Sequence, residues 1–293
     1  MVARKVLQRD AGRIEEHLAT CLPEVDPRAR GLGPAMRHSV AGGKRIRGVL
    51  VMRSASTFGL APQTVIPSAC AFEMLHAATL VHDDLPCIDD SDLRRGGPSC
   101  HVAFDEHTAL LAADALIVAA FENLARQARQ AASARVLRVV EEFAAFTGAG
   151  GLIGGEQADI IAEELPPDLK LLRFIHVNKT AKLICAACRT GAILAGAPEA
   201  QLEIMSDYGM TLGLLFQITD DILDVVGDQT VLGKPTGADA AAGKQTYPGA
   251  IGLEGAREEA RRLAAKAVEI AWRLPAEVEF WKSLARLVVE RDR

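Results

Sequence analysis

The chain has 293 residues, of which 49% are hydrophobic and only 4% aromatic, and its formal net charge is −5. This length is enough for a large core, in one large domain or two ordinary ones. The negative charge gives no reason to expect a nucleic acid as a partner. No secretory signal is evident after Ala3-Arg4-Lys5, and apolar runs such as 115–121 are too short to cross a bilayer, so we expect no membrane insertion.

Six cysteines are scattered along the chain, and Cys185 and Cys188 form a CxxC pair inside a helical pattern. A lone pair of this kind lacks the second pair that a zinc site needs. We therefore expect reduced, buried thiols, which are typical of a protein in the cytoplasm, and we predict a cytoplasmic location.

Helical periodicity dominates the chain, and no linker, low-complexity tract or internal repeat interrupts it. The predicted helices cover residues 4–20, 36–40, 44–58, 64–85, 101–130, 133–146, 151–164, 168–194, 200–226, 254–274 and 276–289. Asp168 is the expected N-cap of its helix, and a polar loop lies at 89–99. Long helices with short connections predict an all-α protein that forms one large bundle, as a single domain over residues 1–293.

A first aspartate-rich segment, Asp83-Asp84-Leu85-Pro86-Cys87-Ile88-Asp89, stands at the end of the helix predicted for 64–85. On an ideal helix Asp83 and Asp89 would point about 240° apart. They can share one site only if the helix ends near Pro86 and the chain then curls Asp89 back toward Asp83. The sequence predicts that it does.

A second cluster holds Asp220, Asp221 and Asp224 in an apolar helical stretch, where bare carboxylates cost several kcal/mol unless a positive group meets them. Asp220 and Asp224 are four residues apart and share a helix face with Gln217, one turn earlier. Oxygen ligands without His or Cys suit Mg²⁺ better than zinc. Two such clusters in one bundle predict a shared Mg²⁺ site.

Basic residues stand at the edges of these motifs. Lys44 and Arg47 are predicted to share a face at the start of a helix, whose N-terminus itself favours anions. The other cations are Arg94, Arg95, Lys179 beside Thr180, Lys234 and Lys244. Any one of them alone would by default be a solvated surface charge. Together with the acidic clusters they indicate a metal site that holds a phosphorylated ligand.

Six motifs occur in a characteristic order: Gly42-Gly43-Lys44-Arg45, Leu80-Val81-His82-Asp83-Asp84-Leu85-Pro86, Asp92-Leu93-Arg94-Arg95-Gly96, Lys179-Thr180, Gln217-Ile218-Thr219-Asp220-Asp221-Ile222-Leu223-Asp224 and Gly243-Lys244-Gln245-Thr246-Tyr247-Pro248. This pattern resembles the trans-polyprenyl diphosphate synthase family, and within it the bacterial farnesyl diphosphate synthases. The resemblance runs from residue 42 to about residue 254. It implies a helical bundle of the isoprenoid synthase type, with a central active-site cavity.

The resemblance also implies a role for each matching residue. Mg²⁺ would be bound by Asp83, Asp84, Asp89, Asp220, Asp221 and Asp224. Isopentenyl diphosphate would be held by Lys44, Arg47, His76 and Arg95. The allylic diphosphate would be held by Arg94, Lys179, Thr180, Gln217 and Lys234. A helix break at Lys179 and Thr180 would turn carbonyl groups toward the allylic cation, and a homodimer would form through the helices around 101–130.

The implied reaction is the Mg²⁺-dependent condensation of isopentenyl diphosphate with dimethylallyl, geranyl or farnesyl diphosphate, to a C15–C20 all-trans product. Farnesyl diphosphate is expected first and geranylgeranyl diphosphate next. Farnesyl synthases of this family usually carry an aromatic floor at the position of Ala78. Because Ala78 and Thr79 are small, they predict a deeper chain-length pocket, unless Phe121 or Met74 supplies the floor.

Three positions depart from the family pattern: Gly48 stands at a usual Pro, Ala113 at a usual Gly and Glu156 at a usual Gln. Two other functions fit parts of the pattern less well. A class I terpene cyclase has a different second metal motif and no isopentenyl site. A non-catalytic subunit of a heteromeric synthase is expected to lose aspartates that this chain keeps.

Overall fold

The computed structural model describes residues 2–226 and 243–290, and most of these residues are helical. The helices are α1 (Val2–Cys21), α2 (Leu32–Val40), α3 (Ile46–Thr57), α4 (Ile66–Asp83), α5 (Cys100–Ala103), α6 (Glu106–Arg126), α7 (Ser133–Thr147), α8 (Leu152–Ala162), α9 (Leu169–Ile175), α10 (Lys182–Ala195), α11 (Glu199–Val226), α12 (Tyr247–Ala271) and α13 (Val278–Val289). Short 3₁₀ turns lie at Pro62–Val65 and Gln127–Arg129, and a π-helical segment lies at His176–Ala181. The predicted all-α bundle is confirmed.

The core is built around α4, which is buried on nearly all sides and packs against α3 and α6. A helix that is apolar all round belongs in the centre of a bundle. α10 packs against both α3 and α11, and α11 packs in turn against α12. The aspartate clusters stand at the C-terminal ends of α4 and α11, so the packing of these helices decides where the acidic groups meet.

The long helix predicted at 168–194 is present, but it changes from α-helix to π-helix and back along its length. Asp168 caps it as predicted, since its carboxylate accepts a hydrogen bond of 2.8 Å from the backbone N–H of Lys170. α9 then widens into the π-helical segment before α10 continues. Asn178 Nδ2 donates to the carbonyl oxygen of Phe174 at 2.7 Å inside this widened turn. At Lys179 and Thr180, where a helix break was predicted, the structure has this π-helical widening and the helix is not interrupted.

Several predicted boundaries were wrong. The helix predicted at 101–130 is broken before Glu106, because the Asp105 carboxylate accepts the backbone N–H of Thr108 and starts α6 there. The loop at 89–99 contains two-residue strands, Leu93–Arg94 and Gly97–Pro98, paired antiparallel. The last long helix begins at Tyr247, well before the predicted residue 254, with a kink at Gly252.

Two helical stretches, Pro62–Asp83 and Glu106–Arg129, are long and apolar enough to match a membrane span by length and composition alone. The first is 72% buried inside the bundle and the second 50%. Core helices of soluble proteins have the same composition, so this likeness is weak evidence. The half of α6 that remains exposed carries a set of apolar side chains: Leu110, Leu111 and Val118.

Candidate active site

Both aspartate clusters line one cavity of about 390 Å³. The first cluster contributes Asp83 and Asp89, and the second contributes Asp220, Asp221 and Asp224. Carboxylates that are far apart in the sequence thus face each other between the ends of α4 and α11. This is the arrangement that a shared metal and diphosphate site requires.

The loop after α4 closes the first cluster. The backbone N–H of Asp89 donates to the carbonyl oxygen of Asp83 at 2.8 Å, and that of Ser91 donates to Asp84 at 3.1 Å. The helix ends at Asp83, before Pro86, whose ring cannot continue the helical hydrogen bonding. The predicted curl of Asp89 toward Asp83 is therefore present in the structure.

Asp84 has different surroundings from the other predicted metal ligands. It is 2% exposed, and its carboxylate accepts hydrogen bonds from Arg94 Nε, 3.0 Å from each oxygen. Asp84 and Arg94 also border a neighbouring hollow, next to Arg95. Asp84 thus lies outside the lining of the shared cavity, where it neutralises and positions Arg94.

Asp221 ties three elements together. Its carboxylate accepts the backbone N–H of Tyr247 at 2.9 Å and Gln217 Nε2 at 3.1 Å, and lies 3.5 Å from His176 Nε2. The His176 ring stacks on Tyr247, and burial lowers its pKa to about 4. His176 is therefore neutral at physiological pH. Sequence reasoning missed it, since a lone histidine in an apolar helix carries no signal of its own.

Lys179 projects from the π-helical segment into the cavity. Its Nζ lies 2.8 Å from Glu156 and 2.7 Å from Asp159, both on α8. Burial alone would lower the Lys179 pKa, but the carboxylates of Asp159 and Glu156 raise it above its usual range. Beside it, the Thr180 hydroxyl donates to Gln217 Oε1 at 2.7 Å. Sequence reasoning missed Asp159, although its spacing from Glu156 places both on one helix face.

The electrostatic environment of Asp83 reflects this crowding of acids. Burial first, and then the nearby charge of Glu156, raise the pKa of Asp83 to about 7. Lys179 acts in the opposite direction. A cation bound beside Asp83 would lower this raised pKa, because a positive charge favours the ionised carboxylate.

A second cavity, of about 490 Å³, adjoins the first and shares Asp83, Lys179 and Asp220 with it. Its walls include the four residues predicted to hold isopentenyl diphosphate: Lys44, Arg47, His76 and Arg95. The structure brings all four together. Burial, and then the charges of the surrounding arginines, lower the pKa of His76 well below its usual value, so the ring is neutral.

The predicted arrangement of Lys44 and Arg47 on one helix face was wrong. α3 begins at Ile46, and Arg45 before it adopts a left-handed backbone conformation with φ 52°. Lys44 therefore precedes the helix and reaches the second cavity from a turn. Two glycines with positive φ, Gly42 and Gly43, make this turn possible.

Glu73 is a buried acid in the wall of the second cavity that sequence reasoning missed. Its Oε1 accepts the backbone N–H of Gly48 at 2.8 Å, and its Oε2 lies 3.8 Å from Arg45 Nη1. The departure at Gly48 thus has a structural reason, because a proline there has no N–H to donate. A Cβ at Gly48 would also come within 2.7 Å of Ile14 Cδ1.

The segment before α12 crosses the first cavity. Lys244 Nζ lies 3.0 Å from both carboxylate oxygens of Asp89. Gln245 anchors the same segment, since its Nε2 donates to the carbonyl oxygen of Ala162 at 3.1 Å. Lys234, the remaining residue predicted to hold the allylic diphosphate, lies outside the described residues.

Part of the lining of the second cavity is apolar. Thr79 lines it with Leu152, Leu183 and Phe216. Ala78, the other predicted chain-length residue, is fully buried and lies outside the lining of both cavities. Consecutive residues of a helix point about 100° apart, and of these two it is Thr79 that faces the pocket.

An aromatic cluster lies deeper along the same face of α4. The ring centroids of Phe72 and Phe143 are 5.0 Å apart, and those of Phe121 and Phe143 are 5.3 Å apart. Phe72 is two helical turns before Thr79 and shares its face. Met74 has different surroundings, with its sulfur 3.6 Å from Asn123 Nδ2. Of the two side chains predicted as possible floors, Phe121 belongs to this aromatic cluster, and neither Phe121 nor Met74 lines the two cavities.

The donor set fits Mg²⁺ held jointly with a diphosphate. Within residues 2–226 and 243–290, no three acidic, histidine or cysteine side chains converge into a metal site of their own. Mg²⁺ usually takes one or two carboxylates and completes its shell with phosphate oxygens and water. Carboxylates that are spread around one cavity suit that mode of binding.

The fold and its two-sided acidic cavity define the chain as an all-α isoprenoid synthase. It belongs to the polyprenyl synthetase family, whose model matches residues 30–279. It is 43% identical over 266 residues to "Geranylgeranyl pyrophosphate synthase 12, chloroplastic" of Arabidopsis thaliana, covering 89% of this chain and 73% of that protein. The resemblance inferred from the motifs is confirmed.

Solved structures agree over nearly the whole chain. The geranylgeranyl pyrophosphate synthetase of Pyrococcus horikoshii matches with a TM-score of 0.90 and 29% identity, covering 99% of this chain and 100% of that one. The geranyltransferase of Helicobacter pylori, complexed with magnesium and isoprenyl diphosphate, matches with a TM-score of 0.85 and 29% identity, covering 97% and 95%. The chain is a trans-prenyltransferase, which favours the main prediction over the cyclase and the non-catalytic subunit.

Proposed function

We propose that this chain condenses isopentenyl diphosphate with an allylic diphosphate, in a Mg²⁺-dependent reaction, to give a C15–C20 all-trans prenyl diphosphate. One observation carries the proposal. The acidic clusters of α4 and α11 line one cavity, and a second cavity lined by Lys44, Arg47, His76 and Arg95 adjoins it. The two substrates would thus bind in separate cavities that share part of their lining.

The allylic diphosphate belongs in the acidic cavity, among Arg94, Lys179 and Gln217. Asp83, Asp89 and the cluster on α11 would hold Mg²⁺, which when bound neutralises the diphosphate and makes it a better leaving group. Arg94 is prepared for this role because Asp84 fixes its guanidinium. Lys244, now paired with Asp89, supplies a further cation at the same end.

The π-helical segment would stabilise the cation that forms when the allylic C–O bond breaks. A π turn departs from the regular i to i+4 hydrogen bonding of an α-helix, and such turns occur frequently at functional sites. Thr180 lines both cavities at the point where they join. Carbonyl oxygens from this segment would place negative dipole ends beside the developing positive charge.

The second cavity would hold isopentenyl diphosphate by its phosphates. Arg47 and Arg95 carry the charge, while the neutral His76 can donate or accept one hydrogen bond at each ring nitrogen. The double bond of isopentenyl diphosphate would then attack the allylic cation that remains after the allylic C–O bond has broken. The proton then lost passes to the released pyrophosphate. The apolar inner wall excludes water that would otherwise trap the cation.

The depth of the pocket favours geranylgeranyl diphosphate within the C15–C20 range. Thr79 is small, and the aromatic cluster containing Phe72 lies seven residues deeper, about 10 Å along α4. That distance accommodates more than one five-carbon unit beyond the metal end. The likeness to a geranylgeranyl pyrophosphate synthase supports the same product.

The decisive experiment is an assay of the purified chain with Mg²⁺, isopentenyl diphosphate and geranyl diphosphate, followed by chromatographic sizing of the products. Prenyl diphosphates of 15 and 20 carbons are expected. A hydrocarbon formed without consumption of isopentenyl diphosphate would indicate a cyclase. Complete inactivity of the folded chain alone would indicate a non-catalytic subunit, and a solanesyl-sized product would contradict the proposed length.

We also propose a homodimer. The exposed face of α6 carries Leu110, Leu111 and Val118, and Val118 is 68% exposed in the single chain. Contact with a second copy would remove these side chains from water. Light scattering of the purified chain is expected to give twice the monomer mass, and Val118→Glu is expected to shift it toward the monomer. A monomeric wild type would refute the proposal.

The cytoplasmic location and the single domain over residues 1–293 stay predictions.

A further inference from the structure

The Lys179 ammonium is shared between two carboxylates of α8. Its Nζ lies 2.8 Å from Glu156 Oε2, 3.0 Å from Glu156 Oε1 and 2.7 Å from Asp159 Oδ2. The side chains of Lys179, Glu156 and Asp159 are only 23%, 16% and 12% exposed. Because an ammonium group has three N–H donors, at least two of them are engaged by these acids.

Close backbone packing holds α8 against the π-helical segment that carries Lys179. A Cβ on Gly155 would come within 2.3 Å of the backbone nitrogen of Lys179 and 2.8 Å of the carbonyl carbon of Asn178. Glycine therefore allows α8 to lie directly against the π-helical segment. Glu156 follows Gly155 in the chain, and this close packing puts its carboxylate within hydrogen-bond distance of Lys179 Nζ.

The charge of Glu156 is the unusual element in this contact. An amide in its place would accept the same hydrogen bond from Lys179 without adding a negative charge. Glu156, which lines the second cavity, instead gives Lys179 a negatively charged partner, and Lys179 lines both cavities. The same ammonium group also interacts electrostatically with Asp83, so three carboxylates share its positive charge. A diphosphate that needs Lys179 must compete with all of them.

We propose that Glu156 is a positioning residue that holds Lys179 as its counter-ion, competes with diphosphates for it, and thereby weakens their binding and speeds their release. The inference rests on the proposed function only in assigning the diphosphate to the cavity beside Lys179. Glu156 acts through Lys179 and needs no contact with the substrate. The competition is electrostatic, so it acts on inorganic pyrophosphate as well as on prenyl diphosphates.

Calorimetric titration with inorganic pyrophosphate tests this directly, both with a chelator and with Mg²⁺. Glu156→Gln is expected to lower the dissociation constant about tenfold in both conditions, because it removes the negative charge that competes for Lys179 and keeps the hydrogen bond. Glu156→Asp keeps the charge and is expected to bind as the wild type does. Glu164→Gln, which removes an exposed charge two residues beyond α8, is the matched control and is expected to change nothing.

Steady-state kinetics provide a second readout that a purely structural role would not produce. In Glu156→Gln the KM for geranyl diphosphate is expected to fall while kcat does not rise, because the gained contact already exists in the bound ground state. Glu156→Ala removes the charge by another route and serves if the Gln variant fails to fold. Equal or weaker pyrophosphate binding by the folded charge-removed variant would overturn the inference.

The two proposals fail in different ways. A wild-type chain that binds no pyrophosphate and transfers no prenyl group would refute the proposed function. A wild-type chain that binds pyrophosphate and makes prenyl diphosphates, with no tighter binding in Glu156→Gln, would refute only the role of Glu156.

Discussion

The backbone N–H of Asp89 donates to the carbonyl oxygen of Asp83 at 2.8 Å, and this one hydrogen bond turns two carboxylates into neighbours at the same cavity. If the helix continued through Asp89, the two side chains would instead point about 240° apart. Asp220 and Asp224 face them from α11. The site thus depends on a helix that stops at the right residue as much as on the acids themselves.

Neutralising one acid on the far side of the cavity tests the shared site. Asp220→Asn is expected to lower kcat by at least about 100-fold, because removal of one preorganised charge contact typically costs that much. Its thermal unfolding should stay within a few degrees of the wild type. Asp90→Asn, at an exposed position of the loop after α4, is the control and should retain activity. Full activity of Asp220→Asn would refute the metal-binding role.

The raised pKa of Asp83 predicts a pH-dependent stability of the metal-free protein. Its pKa is 3.8 in the unfolded chain and about 7 in the fold, so the folded state holds the proton more tightly. The stabilisation that the protonated Asp83 adds to the free energy of unfolding is therefore complete at low pH. It is lost as the pH rises from about 4 to about 7. Relative to the wild type, Asp83→Asn should gain stability over this interval.

Chemical denaturation of both proteins in a chelator, at several pH values, measures this difference. A difference in unfolding free energy of about 1 kcal/mol or more between the ends of the interval is expected, since one pKa unit corresponds to about 1.4 kcal/mol. A difference that does not change with pH would show that Asp83 ionises normally.

Product length should respond to Thr79 and hardly at all to Ala78. Thr79→Tyr fills the apolar end of the second cavity and is expected to shift the product toward farnesyl diphosphate. Ala78→Tyr instead adds a ring at a fully buried position, and overpacking there is expected to cost about 1–3 kcal/mol of stability. Product sizing and thermal unfolding of both variants separate these effects. A shortened product from a stable Ala78→Tyr protein would contradict this assignment.

Gly48 should not tolerate the proline that is usual in the family. Gly48→Pro removes the N–H that Glu73 accepts and leaves a buried carboxylate oxygen unsatisfied, at a cost of about 1–3 kcal/mol. The KM for isopentenyl diphosphate is expected to rise, because Glu73 lines that cavity with Arg47. The double variant Gly48→Pro with Glu73→Gln is expected to recover part of the stability. Unchanged stability in the single variant would refute this account.

Local sequence determined the class of the fold and most of the chemistry. Helical periodicity identified the bundle, and the spacing of Asp220 and Asp224 placed them on one face without any tertiary information. The curl of Asp89 could also be predicted, since Pro86 ends the helix locally. Such features depend only on neighbours a few residues away, and the family motifs are made of them.

The tertiary structure decided which residues share a partner. It placed Asp84 against Arg94, and it set Lys179 between Glu156 and Asp159. These contacts join separate elements, and their geometry depends on how closely the helices pack and how each is rotated. Residues that are adjacent in sequence differ by 100° around a helix. The sequence alone leaves that rotation open wherever both faces are apolar, as they are on α4.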